Sequence, residues 1–461
     1  MHDSLPERSL KSVWHPCSQM ALADSMPLLA IDHAQGPWLF DVDGKRYFDA
    51  ISSWWVNLFG HSEPRISAAI SEQLARLPHT LLAGCTHSPA VELAERLSLR
   101  TQGVLGHCFF ASDGASAVEI ALKMSAHAWR NQGQTGKTEF VCLHGGYHGE
   151  TLGALSVTDI AVFKDAYDPL LLRPHLVMSP DARQAGAGET SEQVAQRALV
   201  KLEQLLELRA ESIAALILEP LVQAAGGMAM YHPAYLRGAR ALCTQFDVHL
   251  IADEIAVGCG RTGSFFAWEQ SLEDKQASAE WPDFICLSKG ITGGFLPLSL
   301  VLSKEDVFQA FWSRETAKGF LHSHSYSGNP LACSAALAVL DHFDDRDVLG
   351  NNAQQAAILS GHLQPLFLDE RLEHPRQMGS IWAFDVRPEY SAPDMGARLR
   401  SQALEHGLMI RPIGRTVYLM PPYVLTPELS AWVARELNAA VDEALPASPA
   451  YAHRAPSAAT A

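Results

Sequence analysis

The chain has 461 residues, 48% of them hydrophobic and 19% charged, a composition that excludes a disordered or coiled-coil protein and leaves room for two or three domains, or one large α/β domain with an appendage. Its 35 basic and 51 acidic residues give a net charge of −16, which repels nucleic acid and anionic membrane over long range. The eight cysteines form no CxxC pair and no stretch is apolar enough for a signal or a membrane span, so reduced core cysteines in a soluble, cytoplasmic protein are expected.

Residues 1–63 mix short strand signals with turns, and Asp43-Gly44 between alternating residues of 38–47 predicts a hairpin. From 64 to 345, helical patterns alternate with short apolar runs, the signature of βα units and a mostly parallel sheet in a large α/β domain. Residues 181–195 and 271–282 read as polar connections. From 346 to 445 helices return, with a hairpin-like pair around Gly414, 408–411 and 417–420, suggesting a second α+β lobe. The Ala/Pro/Ser-rich stretch 446–461 reads as a disordered tail.

Three apolar runs each end in a polar residue: 214–218 in Glu219, 248–252 in Asp253, and 284–288 in Lys289. Continuous Ile/Leu/Val runs suit strands buried on both faces of a parallel sheet, whose ligands bind at the carboxyl ends. An aspartate and a lysine meeting there are the two side chains that pyridoxal phosphate needs, a carboxylate for the ring nitrogen and an amine for the aldehyde. Ile255, two residues beyond Asp253, is set to pack on the same ring. Asp253 could otherwise be a cap, and most lysines are solvated. Lys289, however, lies between an apolar run and the Gly290–Gly294 cluster.

Other segments add to this. The strand-like 108–111 runs into Ser112-Asp113-Gly114-Ala115-Ser116 and a helical pattern over 117–130, so a tight turn at a helix start offers amides to a phosphate; a plain Ser112 or Asp113 cap is the competing reading. After strand-like 140–143 comes His144-Gly145-Gly146-Tyr147-His148-Gly149-Glu150-Thr151, a loop able to lay Tyr147 on a flat cofactor with His148 hydrogen-bonding it. Metal binding by His144 and His148 is disfavoured by the glycines between them. Gly258, Gly260 and Gly263 fit G-x-G-x-x-G, which would make the chain a nicotinamide-dependent oxidoreductase, but no amphipathic helix follows. The hydroxyl-rich loop 320–330 can finish a phosphate shell or merely lead into a helix at Pro330. Gly136-Lys137-Thr138 lacks the upstream glycine of a P-loop, and no basic module supports a DNA-binding regulator.

With Asp253-Glu254-Ile255 through Gly260-Arg261-Thr262-Gly263, Ser288-Lys289-Gly290 and Ser327-Gly328-Asn329-Pro330, the chain resembles the class III pyridoxal-phosphate aminotransferases over nearly its whole length. Val13-Trp14-His15-Pro16, Ser52-Ser53-Trp54-Trp55, Gly226 through Pro233, Arg411-Pro412 and Tyr418 through Tyr423 are similar to the branch of that family that aminates 8-amino-7-oxononanoate in biotin biosynthesis. The resemblance implies a type I fold, with a small domain built from both chain ends, and a homodimer with shared sites. It implies catalytic roles for Lys289, Asp253 and Tyr147, and cofactor contacts from Gly114, Ala115, Tyr147, His148, Asp253, Ile255, Lys289 and, across the dimer, Ser325. Trp54, Trp55, Tyr147, Arg261, Arg411 and Tyr418 become substrate-side candidates, with Arg411 forking onto the far carboxylate. The implied amino donor is S-adenosylmethionine or lysine. An ω-amino acid:pyruvate or ornithine-type aminotransferase is the alternative. The chain departs from the pattern at Cys17, where many relatives carry an aromatic ring, and at Ala115, where serine is common.

Overall fold

The computed structural model describes residues 3–22 and 28–448, so the expected tail lies outside the described residues from 449 onward. Strands β1 (Ile31–Gln35), β2 (Trp38–Asp41) and β3 (Arg46–Asp49) open the fold. β2 and β3 pair antiparallel around Asp43-Gly44, where Gly44 takes φ +83°, a conformation glycine adopts without steric penalty. A helix, Leu5–Ser12, precedes them and was not expected from strand signals. Its mark in the sequence is a capping box between Ser4 and Glu7 with Pro6 inside the first turn.

The chain then forms β4 (His107–Ala111), β5 (Glu139–Leu143), β6 (His175–Val177) and β7 (Ile213–Leu218). A two-stranded ribbon, β8 (Val222–Gln223) and β9 (Ala229–Met230), leads on to β10 (His249–Asp253), β11 (Phe284–Leu287) and β12 (Ser299–Ser303). Seven of these make one sheet in the order β4-β12-β11-β10-β7-β5-β6. β12 runs antiparallel to both neighbours, and the remaining pairs are parallel.

Alternate residues of these strands enter two different cores. Leu216, Leu218, Leu250, Ala252, Ile285 and Leu287 join helices Ser191–Arg209 and Ala234–Gln245 on one side. Ala215, Ile217, Ile251, Phe284 and Cys286 join helix Gly114–Asn131 on the other. Because both faces are covered, polar alternation would leave buried unpaired groups, and the strands read as unbroken apolar runs. Each fully buried Leu or Ile contributes on the order of 2 kcal/mol, which fixes the strand ends against the helices. Two boundaries differ from the expectation. The helix after β4 starts at Gly114 rather than 117, and the supposed loop 181–195 ends early in helix Ser191–Arg209, announced by a Thr190/Gln193 capping box.

Helices Val348–Phe367, Met395–Glu405 and Pro427–Ala444 pack with Phe48 and Ala50 into a further core. They do so around β13 (Leu372–Met378), β14 (Ile381–Val386), β15 (Leu408–Met409) and β16 (Thr416–Leu419). The hairpin expected around Gly414 is not formed. β15 pairs parallel with β3 and β16 antiparallel with β14, leaving a single bridge between Ile413 and Thr416. A glycine-centred turn reports a chain reversal and not a pairing partner; Leu408 and Val417 enter this core while Tyr418 faces the first one. All eight cysteines are free; five are buried, whereas Cys17 and Cys85 are exposed. Among the described residues no helix is long and apolar enough to cross a membrane.

Candidate active site

The carboxyl ends of parallel strands β7, β10 and β11 deliver Glu219, Asp253 and Lys289 to one cavity of about 240 Å³, lined also by Gly114, Ala115, Tyr147, His148 and Ile255. Asp113 caps the helix after β4 by accepting from the Ser116 amide at 2.9 Å and its hydroxyl at 2.8 Å, and its carbonyl takes the Ala117 amide. The amides of Gly114 and Ala115 are left without an acceptor among the described residues. The cap and the anion cup are thus one device. A Cβ on Gly114 would lie 3.0 Å from Ile255 Cγ2, so glycine keeps this wall of the cavity clear.

Asp253 is 3% exposed and receives the His148 Nδ1–H at 2.7 Å, with its other oxygen on the Ile255 amide at 3.1 Å. His148 lines the same cavity, with Nδ1 on the Asp253 carboxylate and its buried Nε2 without a partner among the described residues. Glu219 accepts the amides of Tyr147 at 3.0 Å and Ala224 at 2.9 Å, and burial pushes its carboxyl up to about 7. Lys289 is half-buried at φ +46°, with its Nζ 5.3 Å from the Trp55 ring centre. Desolvation lowers its pKa, opposed by the charges of Asp253 and Glu219. Burial, reinforced by Glu150, raises the Tyr147 hydroxyl, which donates to Glu150 at 3.0 Å.

The donor set fits pyridoxal phosphate at each polar end: two free helix amides for the phosphate, a buried carboxylate for the ring nitrogen, and a desolvated amine for the aldehyde.

A second cavity of about 460 Å³ adjoins the first through Tyr147, Trp55 and Lys289. Its walls include Trp54, Phe163, Tyr418 and Arg411. Trp54 and Trp55 are presented by an unusual turn, in which Ser52, Ser53, Trp54 and Trp55 take φ of +50°, +46°, +72° and +74°. Left-handed backbone costs a residue with a Cβ about 1–2 kcal/mol, so neighbours must hold it. The Ser52 hydroxyl donates to Met420 O at 2.7 Å, Ser53 N and Oγ donate to Asp49 at 2.8 and 2.7 Å, and Trp55 Nε1 donates to the Tyr418 hydroxyl at 3.1 Å. Arg411 lies 4.8 Å over the Trp54 ring and donates to Cys17 O at 2.9 Å.

Arg261 does not belong to the substrate side. It is 1% exposed and gives its guanidinium to the backbone oxygens of Pro421 at 2.7 Å, Asn57 at 2.8 Å and Trp55 at 3.4 Å. A buried guanidinium needs acceptors, and here irregular backbone supplies them for both Nη atoms, while the buried Nε is without a partner among the described residues. The Gly258–Gly263 loop around it opens no helix, only turns followed by a short 3-10 segment, Ala267–Ser271. Ser325 is exposed and lines neither cavity. Phe163, Glu150 and Ala225 line the substrate-side cavity and were not singled out by sequence. Glu150 closes the motif begun by His144, but Phe163 carries no signal, since it enters from a four-residue helix, Ala161–Lys164. A larger cavity of about 870 Å³ opens at the amino ends of β10 and β11, where Asp283 pairs with Arg240 at 2.7 Å and Lys304 at 3.3 Å.

The family model for class III aminotransferases matches residues 19–441. The adenosylmethionine-8-amino-7-oxononanoate aminotransferase of Helicobacter pylori is 42% identical over 92% of this chain and 95% of its own. The enzyme of the same name from Aquifex aeolicus is 36% identical over 93% and 95%. Among solved structures, the namesake from Methanocaldococcus jannaschii superposes with a TM-score of 0.89 at 33% identity, covering 95% of this chain and 99% of that one. An omega transaminase from Pseudomonas jessenii in complex with PMP gives 0.88 at 28%, covering 96% and 98%. The α/β architecture with its mostly parallel sheet is the type I fold of pyridoxal-phosphate enzymes. On sequence, fold and the chemistry gathered at the strand ends, the chain belongs to the class III aminotransferases, enzymes that use pyridoxal 5′-phosphate.

Proposed function

We propose that the enzyme transfers an amino group to 8-amino-7-oxononanoate, giving 7,8-diaminononanoate for biotin biosynthesis, with S-adenosylmethionine as donor. The observation that carries this reading is the 460 Å³ cavity, whose lining combines the Lys289 amine and the Arg411 guanidinium with the aromatic walls of Trp54, Trp55, Phe163 and Tyr418. A long aliphatic chain matches the apolar walls, and its terminal carboxylate matches the guanidinium. The names of the relatives from Helicobacter pylori and Aquifex aeolicus support the same substrate.

Gly114 and Ala115 would hold the phosphate through backbone amides, Ile255 and Tyr147 would pack on the ring, and Asp253, held by His148, would pair with the ring nitrogen. When bound, pyridoxal phosphate supplies the electron sink that makes an amine's Cα–H acidic. Lys289, desolvated and therefore less basic than a surface lysine, takes the proton from the donor's Cα and later delivers one to C7 of the keto acid. Trp54, Trp55 and Tyr418 exclude water around the aliphatic chain, and Arg411 releases Cys17 O to take the far carboxylate.

The same reading includes a cytoplasmic homodimer. Ser325 would complete the phosphate shell of the partner, and its loop also exposes Leu321 (79%) and Tyr326 (63%), apolar surface that a second copy would cover. It also divides the chain into a large domain, 64–345, and a small one from 1–63 and 346–445, which the core uniting Phe48 and Ala50 with residues 356–445 supports. The test is incubation of the holoenzyme with 8-amino-7-oxononanoate and each of S-adenosylmethionine, lysine, ornithine and an ω-amino acid. Diaminononanoate formed with S-adenosylmethionine is the expected result. Amination of pyruvate without any diaminononanoate would replace this reading with an ω-type one.

A further inference from the structure

Two guanidiniums and the Asp385 carboxylate clasp the β8–β9 turn where it meets the carboxyl-terminal strands, with Asp181 holding Arg183 from the other side at 2.9 Å. Asp385 on β14 is 4% exposed and accepts from Thr416 Oγ1 at 2.6 Å, Arg376 Nη2 at 2.9 Å and Arg183 Nη1 at 3.3 Å. The arginines in turn donate to three successive carbonyls: Arg183 to Gly226 at 3.1 Å, and Arg376 to Gly227 at 2.6 Å and Met228 at 2.9 Å. That turn is left-handed at Gly227 (φ +78°) and Met228 (φ +50°). It has no slack: a Cβ on Gly226 would lie 2.4 Å from Gly145 O, and one on Gly227 2.8 Å from Thr416 Oγ1.

Each element touching this turn carries a wall of the substrate-side cavity close by. Ala225 precedes Gly226, Tyr147 lies two residues after Gly145, and Tyr418 two after Thr416. The inner end of the site has its own ties, His148 to Asp253 and Glu219 to the amides of Tyr147 and Ala224. We propose that Asp385 is a positioning residue that fixes the spacing of Ala225, Tyr147 and Tyr418, and so the affinity for the long-chain acceptor, through Arg183, Arg376 and Thr416. This rests on the substrate reading above. Without the Asp385 carboxylate, Arg183 keeps Asp181 at 2.9 Å but Arg376 loses its ion-pair partner among the described residues, and the Gly227 and Met228 carbonyls lose a held donor.

The test uses holoenzyme carrying Asp385→Asn or Thr416→Val, with 8-amino-7-oxononanoate as acceptor and amide hydrogen exchange as a readout that needs no substrate. The clasp predicts KM raised about tenfold in Asp385→Asn and about threefold in Thr416→Val, kcat within about twofold, and unchanged cofactor absorbance. Exchange should rise at 225–228 and 416–418 and stay unchanged at 253–256. Unchanged KM and exchange in Thr416→Val overturns the assignment, as does a joint loss of kcat, KM and cofactor absorbance in that variant. If the wild type makes no diaminononanoate while exchange at 225–228 still rises, the substrate reading falls and the clasp stands.

Discussion

The two ends of the site are built differently. The cofactor end comes from regular elements: three parallel strands and one helix start deliver Glu219, Asp253, Lys289 and the Gly114/Ala115 amides, all within residues 114–289. The substrate end comes mostly from loops and turns far apart in the chain, with Cys17, the Ser52–Trp55 turn, Ala225 and 411–413 joined by Phe163 from a four-residue helix and Tyr418 from β16 around one cavity. A group common to a whole family is held by elements whose geometry follows from the fold, and the variable partner is met by loops that can change without disturbing it.

Substitutions that act on one end only are the sharpest challenge to that contrast. The largest effect is expected for Lys289→Ala, which removes the amine proposed both to anchor the cofactor and to carry the proton. Turnover should fall about ten-thousandfold or more, and borohydride should no longer fix the cofactor to the protein by mass spectrometry. Retained covalent labelling would mean that another amine serves. Arg411→Met acts at the far end: KM for the keto acid should rise about thirtyfold with kcat within about threefold, because a charge-assisted contact is lost in ground and transition states alike. An equal fall in kcat would erase the division between the ends.

A smaller effect lies in pH. Burial raises the folded Glu219 carboxyl to about 7 from its ordinary value near 4.5, so between those values the folded chain holds a proton that the unfolded chain has lost. Its contribution to cofactor-free stability is therefore full below about 4.5 and lost as pH rises through about 7. Melting curves should show a decline of a few degrees over that window that Glu219→Gln flattens. A slope equally steep in the variant would assign the effect elsewhere. Smallest is Cys17→Ser. Arg411 touches the Cys17 carbonyl and not its thiol, so KM should stay within about twofold. A larger change would give the thiol a direct part in the cavity.

Legibility in the sequence follows the same division. Unbroken apolar runs ending in Asp253 and Lys289 reported both the sheet and the cofactor end, because strand periodicity and double-sided burial leave a direct trace. The helix start at Gly114 was blurred by three residues, since Asp113 serves as cap and cup margin together. The substrate end left less. Trp54 and Trp55 were recognised through family resemblance, yet nothing local announces four successive left-handed residues, which exist because Asp49, Tyr418 and Met420 hold them. Arg261, a substrate-side candidate through resemblance alone, lies instead among the backbone carbonyls of Trp55, Asn57 and Pro421, partners that only tertiary structure brings to it. The Gly414 reversal was legible and its strand partners were not, because pairing is decided by sheets distant in sequence.

The Ser52–Trp55 turn has a consequence for biosynthesis. The groups that stabilise it lie far along the chain, 368 residues on at Met420 and 363 at Tyr418, and, through Arg261, at Pro421. The nascent amino-terminal segment therefore has no reason to adopt this shape early. Its two tryptophans take up their final orientation only once translation has reached the carboxyl-terminal strands, which makes the acceptor pocket among the last parts of the enzyme to mature and truncation after residue 415 incompatible with it.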